Sequence, residues 1–227
     1  MKRYETTMTV KALSEIFYIS RGNKKLKSGK KIKFLIWNLP AIITCPFAGI
    51  CKGFCYAKKA EKCYPSVLPC RMRNLEFSMS EEFVPLMIEF IKIQLNRLKD
   101  GEQIWFRIHE SGDFYSAEYL KKWVEICEFF ALDKRIVFLA YTKSHKYFAE
   151  LDDISDEILL ARYSVCDDTT EEDKALAEEL GMPIYEVIPD DKTVEDYADF
   201  FLCLCEDCAS CGACYNPNIK KIAVEKH

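Results

Sequence analysis

The sequence predicts an α/β fold, either a partial (β/α) barrel or an open, mostly parallel sheet, with a cysteine-rich C-terminal tail. Apolar, β-branched segments of strand length alternate with segments whose apolar residues recur at helical spacing. About five strands are indicated, too few to close an eight-stranded barrel. We therefore expect a single α/β domain over residues 1–200, with a cysteine loop at 44–70 and a metal-binding tail, 201–227, packed on it.

The elements follow one another along the chain after a basic segment. The predicted strands are KIKFLIWNL from Lys31, IWFRIH (Ile104–His109), RIVFLAYT (Arg135–Thr142), EILLARYSV (Glu157–Val165) and PIYEVIP (Pro183–Pro189). The predicted helices are SEEFVPLMIEFIKIQLNRL with Ser80 as N-cap, SAEYLKKWVEICEFF with Ser116 as N-cap, SHKYFAELDDI, TEEDKALAEEL ending at Gly181, and TVEDYADFFLC. Strands joined in this way pair in parallel through right-handed crossovers.

Composition narrows the class of protein. The chain has 227 residues and a formal net charge of −4, which excludes a global basic field that would attract nucleic acid. The sequence has no apolar run long enough to span a bilayer, and MKRYETTMTV lacks a signal-peptide core. We therefore expect no membrane partner and a cytoplasmic location. A reducing cytoplasm favours metal binding or redox chemistry for the twelve cysteines over disulfides.

Ten of the cysteines fall into two clusters, Cys45 to Cys70 and Cys203 to Cys214. The tail reads CLCEDCASCGACY, and its predicted ligands recur every third residue: Cys205, Cys208, Cys211 and Cys214. Dense CxxCxxC runs are typical of iron–sulfur clusters, whereas structural zinc more often uses separated CxxC pairs. The tail is therefore predicted to hold a 4Fe–4S cluster, with zinc as the alternative metal.

The first cluster contains the pattern C-x5-C-x3-C, formed by Cys45, Cys51 and Cys55. Three thiolates would leave one iron of a 4Fe–4S cluster open to a substrate or cofactor, as in catalytic zinc sites. Three alternatives stay open. Cys63 or Cys70 closes the site, the metal only staples the loop, or both clusters share one centre. Of the isolated cysteines, Cys127 is predicted to be a core thiol and Cys166 to have a packing role.

Polar residues follow the predicted strands, at the edge where parallel α/β folds place their sites. Arg107 and His109, two residues apart, are expected on one strand face. Gly112 permits a tight turn or close approach to a ligand, and Ser116 is expected only to cap a helix. His109 is interpreted as a cluster ligand, proton donor or structural residue, and Lys143 as a carboxylate or phosphate contact or a solvated lysine. The predicted catalytic residues are His109, Glu110, Asp113 and Lys143, and the predicted cofactor-binding residues are Glu110, Ser111, Gly112 and Asp113.

The segment Arg21–Lys33, RGNKKLKSGKKIK, is strongly basic within an acidic chain. It predicts either a solvated loop or a surface that binds nucleic-acid phosphates with a steep salt dependence.

The combination of CP-x4-C-x3-CYA, RIHESGDFYSAEYLKKW, FLAYTKS and the CxxCxxC tail resembles a family of small phage and prophage proteins, the gene product eighty-eight family. The resemblance runs from about Gly22 to Tyr215. It implies cysteine-rich metal binding and a phage or prophage origin within a bacterial host cell. Cys63 and Cys70 lie outside the resembling pattern.

The chain also resembles radical S-adenosylmethionine (SAM) enzymes, which hold a four-iron cluster with three cysteines after the first strand of a partial barrel. A Gly/Glu-containing motif after their second strand holds the amino group of SAM. In this chain Cys45, Cys51 and Cys55 occupy the first position and Glu110–Asp113 the second. The spacing departs from the C-x3-C-x2-C of that superfamily, and Tyr56 follows the last cysteine, where the superfamily has an aromatic residue before it.

These features predict an iron–sulfur protein with one or two 4Fe–4S clusters, and specifically a small phage-encoded radical-SAM-like enzyme acting on a small-molecule or nucleotide substrate. Two alternatives remain. One is a non-radical iron–sulfur enzyme that uses an open iron as a Lewis acid for hydrolysis or sulfur transfer. The other is a metal-stapled module that binds nucleic acid or protein.

Overall fold

The computed structural model describes residues 2–151 and 154–225. An eight-stranded sheet forms the centre of the fold, in the order β1-β2-β3-β4-β5-β6-β8-β7. Its strands are β1 Ile19–Ser20, β2 Ile32–Trp37, β3 Gln103–Ile108, β4 Ile136–Thr142, β5 Leu160–Val165, β6 Ile184–Val187, β7 Phe201–Leu202 and β8 Lys221–Val224. Each neighbouring pair is parallel except β1 with β2. The predicted α/β class with a mostly parallel sheet is confirmed.

Helices connect the strands. They are α1 Val10–Ile16, α2 Cys51–Phe54, α3 Tyr56–Cys63, α4 Val67–Met79, α5 Phe83–Asn96, α6 Ala117–Phe129, α7 His145–Phe148, α8 Glu171–Glu179 and α9 Cys208–Cys211. Two short 3-10 helices lie at Val194–Tyr197 and Ala213–Tyr215. The N-cap predicted at Ser116 is present, and Thr170 caps α8; each side chain accepts a hydrogen bond from the first turn of its helix.

The two faces of the sheet are covered differently. Alternate residues point to opposite faces of a strand, so Phe106 packs with Trp37 and Trp123 in the large core under the helices. On the other face, Phe34 and Trp105 belong to a smaller core that includes Tyr215 of the tail. The residues after β7 therefore lie over the sheet face that the larger helices leave uncovered.

A buried arginine ties this tail to the sheet. Arg162 of β5 is fully buried, and its guanidinium donates to the carbonyl oxygens of Cys214 at 2.9 Å, Ile219 at 2.8 Å and Asn216 at 3.0 Å. A buried charge is tolerated only when its hydrogen-bonding capacity is satisfied. Here backbone oxygens of the tail provide that satisfaction.

Three local predictions are wrong. The predicted helix TVEDYADFFLC is instead a 3-10 helix, Val194–Tyr197, followed by β7, because Phe201–Leu202 pairs with β8. Ser80 is not the N-cap of α5; it ends α4, and its hydroxyl donates to the carbonyl of Phe77 at 2.8 Å. The helix predicted over SHKYFAELDDI is only α7, His145–Phe148. Residues 152–153 of that prediction, and 226–227 of the tail, lie outside the described residues.

Candidate metal centres

The first cysteine group lies in the loop after β2. Burial raises the pKa of the Cys45 thiol to about 12, and Asp113, Cys55 and Cys51 act in the same direction. Burial also raises the pKa of Cys51, again with a contribution from Cys55. Each thiol thus lies within electrostatic reach of the other two. The structure brings the three predicted ligands of this loop into one neighbourhood.

Hydrogen bonds from other elements hold this loop. Tyr56, directly after Cys55, donates its hydroxyl proton to the carbonyl of Glu110 at 2.5 Å. On the opposite side, Asp168 accepts a hydrogen bond from the backbone N–H of Ile50 at 2.6 Å. Gly49 has a φ of +52°, and a Cβ there would lie 1.7 Å from the Asp168 carboxylate, so only glycine permits this approach.

A trio of polar side chains adjoins Cys51 at the carboxyl ends of β4 and β5. The Nζ of Lys143 lies 2.7 Å from the Sγ of Cys166 and 3.8 Å from a carboxylate oxygen of Asp168. Cys166 in turn contacts Asp168 at 2.9 Å. All three act electrostatically on Cys51. The Cys166 thiol, predicted to have a packing role, therefore has polar partners beside the cysteine loop, and Lys143 is paired rather than solvated.

The segment Glu110–Asp113 follows β3 and forms hydrogen bonds with residues near the ends of β2 and β4. Asp113 is buried, and its carboxylate accepts hydrogen bonds from the Thr142 hydroxyl at 2.6 Å and the Lys143 N–H at 2.8 Å. Burial raises the pKa of Asp113 to about 6, although these bonds oppose the shift. Ser111 donates to the carbonyl of Leu39 at 2.9 Å. These polar groups already have protein partners.

Gly112 and Glu110 have equally specific surroundings. Gly112 has a φ of +84°, and a Cβ there would lie 2.6 Å from both the Cβ of Leu39 and the Oγ1 of Thr44. The side chain of Glu110 accepts a hydrogen bond from Asn23 at 2.6 Å, which ties it to the basic segment. Of the predicted cofactor-binding residues, Glu110 is less buried than Ser111 and Asp113.

The expectation that Arg107 and His109 share a strand face is wrong. β3 ends at Ile108, and His109 has a φ of +63°, which breaks the alternation of the strand. Its Nε2 lies 3.0 Å from the hydroxyl of Tyr119 in the helix-side core. Burial and the charge of Arg107 lower the pKa of His109 to about 3, so the imidazole is neutral at physiological pH.

The second group contains five thiols, one more than the predicted set. A hydrogen bond with Cys211 raises the pKa of Cys205, and Cys203 and Cys214 contribute. Burial raises the pKa of Cys208 to about 11, with further contributions from Cys214 and Cys203. Cys203 was not among the predicted ligands. Its proximity to Cys205 in CLC was the available signal, because both residues flank a single leucine.

Arg107 and Tyr185 interact electrostatically with residues of the first cysteine loop and of the tail. The guanidinium of Arg107 lies 3.7 Å from the ring centroid of Tyr141 and acts electrostatically on Tyr56 and Cys214. Tyr185 is likewise within electrostatic reach of Cys203, Cys214 and Tyr56. The surroundings of the first cysteine loop and of the tail are therefore electrostatically coupled through Arg107 and Tyr185.

The donor sets fit soft metals. Thiolates are the usual ligands of iron–sulfur clusters and structural zinc, and all twelve cysteines are free. Within residues 2–151 and 154–225, however, no three His, Cys, Asp or Glu side chains converge closely enough to hold a metal ion.

The basic segment borders a cleft of about 410 Å³ beside the tail. Lys27, Lys30 and Lys31 line one wall, and Asp207 and Ser210 line the other. In the described part of the chain, no helix is long and apolar enough to cross a membrane.

Comparison with known proteins identifies a family. The family described as "Gene product 88" matches residues 17–220. The "Gene 88 protein" of Mycobacterium phage D29 is 29% identical over 105 residues, which cover 44% of this chain and 42% of that protein. The chain thus matches less than half the length of this relative. No solved structure matches the chain significantly. The match across most of the sequence shows that the chain belongs to the gene product 88 family.

Proposed function

We propose that this protein is an iron–sulfur protein with two cluster-binding groups, encoded by a phage or prophage and located in the cytoplasm of the bacterial host. Cys45, Cys51 and Cys55 hold the first cluster. Cys205, Cys208, Cys211 and Cys214 hold the second, with Cys203 within reach. Zinc remains the alternative metal in the tail.

The gathering of three thiols after β2 carries the proposal. They lie at the carboxyl edge of the parallel strands, where this class of fold places its sites. The loop has a polar setting beside Cys51, formed by Lys143, Cys166 and Asp168. A three-thiolate set leaves one iron of a 4Fe–4S cluster open, and this edge is where a substrate or cofactor would approach.

The finer proposal is a radical-SAM-like enzyme with a partial-barrel sheet. When bound, a 4Fe–4S cluster supplies single electrons, and an open iron provides a position for SAM. Among the residues predicted to contact SAM, Glu110 is the candidate for its amino group because it is partly exposed. Ser111, Gly112 and Asp113 act here by shaping the loop, since their groups are engaged with Leu39, Thr142 and Lys143. Lys143 would orient a carboxylate or phosphate.

Metal and sulfide analysis of anaerobically purified protein tests the proposal. We expect about eight iron and eight sulfide per chain, with visible absorption that bleaches on reduction. The triple variant Cys45→Ser, Cys51→Ser and Cys55→Ser should lose about half of both. The matched control is Cys63→Ser, an exposed cysteine outside the proposed sets, which should lose neither. Protein without iron and sulfide would remove the iron–sulfur proposal.

SAM binding separates the enzyme classes. Calorimetric titration of the reduced, cluster-loaded protein with SAM should show saturable binding that Glu110→Gln weakens. Cluster-loaded protein that does not bind SAM would instead support non-radical chemistry with the open iron as a Lewis acid.

A nucleic-acid-binding module is the second candidate, favoured by the lysine-lined cleft beside the tail. A gel shift with single- or double-stranded DNA should weaken with salt. Replacing Lys27, Lys30 and Lys31 with glutamine should abolish it, whereas Lys134→Gln, an exposed lysine paired with Glu157 elsewhere, should not. No shift at low salt would remove this candidate.

A further inference from the structure

Within the described part of the chain, the positive charge of Arg107 has no acidic partner. Its Nε donates a hydrogen bond to the carbonyl of His109 at 3.0 Å, and its guanidinium lies over the ring of Tyr141. Neither contact brings a negative charge. Among residues 2–151 and 154–225, no carboxylate oxygen forms an ion pair with it within 4.0 Å. A guanidinium that is partly buried against an aromatic ring is normally paired with an acidic group or bound to a ligand.

Aromatic rings and thiols surround Arg107. Tyr56, Tyr141 and Tyr215 act on it electrostatically. Arg107 is also within electrostatic reach of Tyr185 and of two cysteines of the tail, Cys208 and Cys214. Its guanidinium therefore lies in the neighbourhood of two proposed ligands of the tail centre.

The hydroxyl of Tyr215 is a second group that indicates a ligand beside the tail cysteines. The hydroxyl of Tyr215 is buried and has no hydrogen-bond partner among the described residues. Its ring stacks on Trp105 with centroids 4.4 Å apart, and it lies in electrostatic reach of Cys208 and Cys214. An unsatisfied buried hydroxyl destabilises the folded protein unless something accepts its proton. A thiolate or cluster sulfur would accept it.

We infer that Arg107 and Tyr215 form one side of the binding site for an anionic thiolate–metal centre in the tail. Arg107 is the counter-charge of this centre, and Tyr215 donates a hydrogen bond to it. This inference rests on the proposed tail centre and assigns the two residues that set its charge balance. Metal bound by four thiolates carries net negative charge, and a nearby guanidinium favours the more negative, reduced state of an iron–sulfur cluster. It also stabilises a zinc tetrathiolate against metal loss.

The test uses the full chain with Cys45, Cys51 and Cys55 replaced by serine, so that only the tail centre remains. In this background, at the midpoint potential of the parent, Arg107→Gln should lower the ratio of reduced to oxidised cluster about tenfold. This change corresponds to a midpoint potential about 59 mV lower for a one-electron couple. If the tail holds zinc, a chelator should remove it at least about tenfold more readily, since one lost charge contact of about 1.4 kcal/mol has this effect. Arg107→Lys, which keeps the charge, should restore most of either property.

The control is Lys134→Gln, which removes one positive charge from an exposed ion pair with Glu157 and should leave the tail centre unchanged. Tyr215→Phe keeps the stack on Trp105 and should weaken metal retention, and it decides the matter alone if Arg107→Gln does not fold. If Arg107→Gln and Tyr215→Phe retain the metal with the cluster potential and metal affinity of the parent, the inference is overturned, but the proposed tail centre is not. A background protein without metal in the tail overturns both.

Discussion

Replacing Arg162 tests whether the tail is held to the sheet by one buried guanidinium. Arg162→Gln removes the charge and at least two of the three short hydrogen bonds to the carbonyls of Cys214, Ile219 and Asn216. Each hydrogen bond to a charged donor is worth about 1.5–3 kcal/mol, and the cost of burying the guanidinium offsets part of their sum.

The carbonyls left behind raise the cost of the change, because unsatisfied buried acceptors carry their own desolvation penalty of about 1–3 kcal/mol each unless water enters. We therefore expect a loss of about 3–5 kcal/mol in the free energy that keeps the tail docked, from the lost charged hydrogen bonds and the unsatisfied carbonyls together. The free energy of tail docking in Arg162→Lys should lie between that of the parent and that of Arg162→Gln, since lysine keeps the charge but lacks the planar guanidinium.

Hydrogen exchange followed by mass spectrometry gives the assay, because it resolves the opening of residues 203–216 from unfolding of the sheet. In Arg162→Gln, the amides of this segment should exchange on the order of 10²–10³-fold faster, since each 1.4 kcal/mol corresponds to tenfold. The control is Lys134→Gln, which removes an exposed ion pair, and its amides should exchange at the parent rate. Parent-like exchange in Arg162→Gln would refute the reasoning, because it would mean that the stacking of Tyr215 holds the tail without the guanidinium.

The remaining predictions concern the edge of the sheet. Gly112→Ala should destabilise the protein by about 2–4 kcal/mol in urea denaturation, because its Cβ would clash with Leu39 and Thr44 and its φ is positive; Gly29→Ala, with open space around it, is the control, and equal stabilities would contradict the prediction. Because the folded-state pKa of Asp113 is raised to about 6, its ionisation disfavours the folded state above that pH and the penalty disappears as the pH falls toward 4. The parent protein should therefore gain stability relative to Asp113→Asn between pH 7 and pH 4, and the opposite trend would count against burial of this carboxyl. The pKa of His109 is lowered to about 3, so its ring resonances should not titrate between pH 5 and 8 by NMR; a midpoint near 6.5 would show that the ring is solvated.

The five predicted strands are present because they carry runs of apolar residues, which is a local signal. β3 and β4 lie within one residue of the predicted bounds. β1 and β7 have two residues each, too few to show any period, and β8 was overlooked behind the cysteines of the tail. Helix α4 was missed as well, since its apolar residues do not form a clear stripe and Pro69 lies in its first turn.

The candidate sites were predictable only as far as ligand types and spacing. The pattern indicated which thiols gather, because cysteines close in sequence cannot be far apart in space. The partnership of Arg107 with the tail could not be foreseen, since it joins residues about a hundred positions apart in the chain. The φ of +63° at His109 was equally hidden, because a histidine in that conformation gives no sequence signal.

The position of β8 between β6 and β7 has a consequence for how the proposed tail centre would acquire metal. Among the described residues β7 pairs only with β8, so its place in the sheet depends on the pairing of residues 221–224 with β6. The thiols from Cys203 to Cys214 lie between β7 and β8 in the chain, so the pairing of these two strands closes the loop that carries them. A metal captured early would draw the two strands together and so act as the nucleus for completing the sheet.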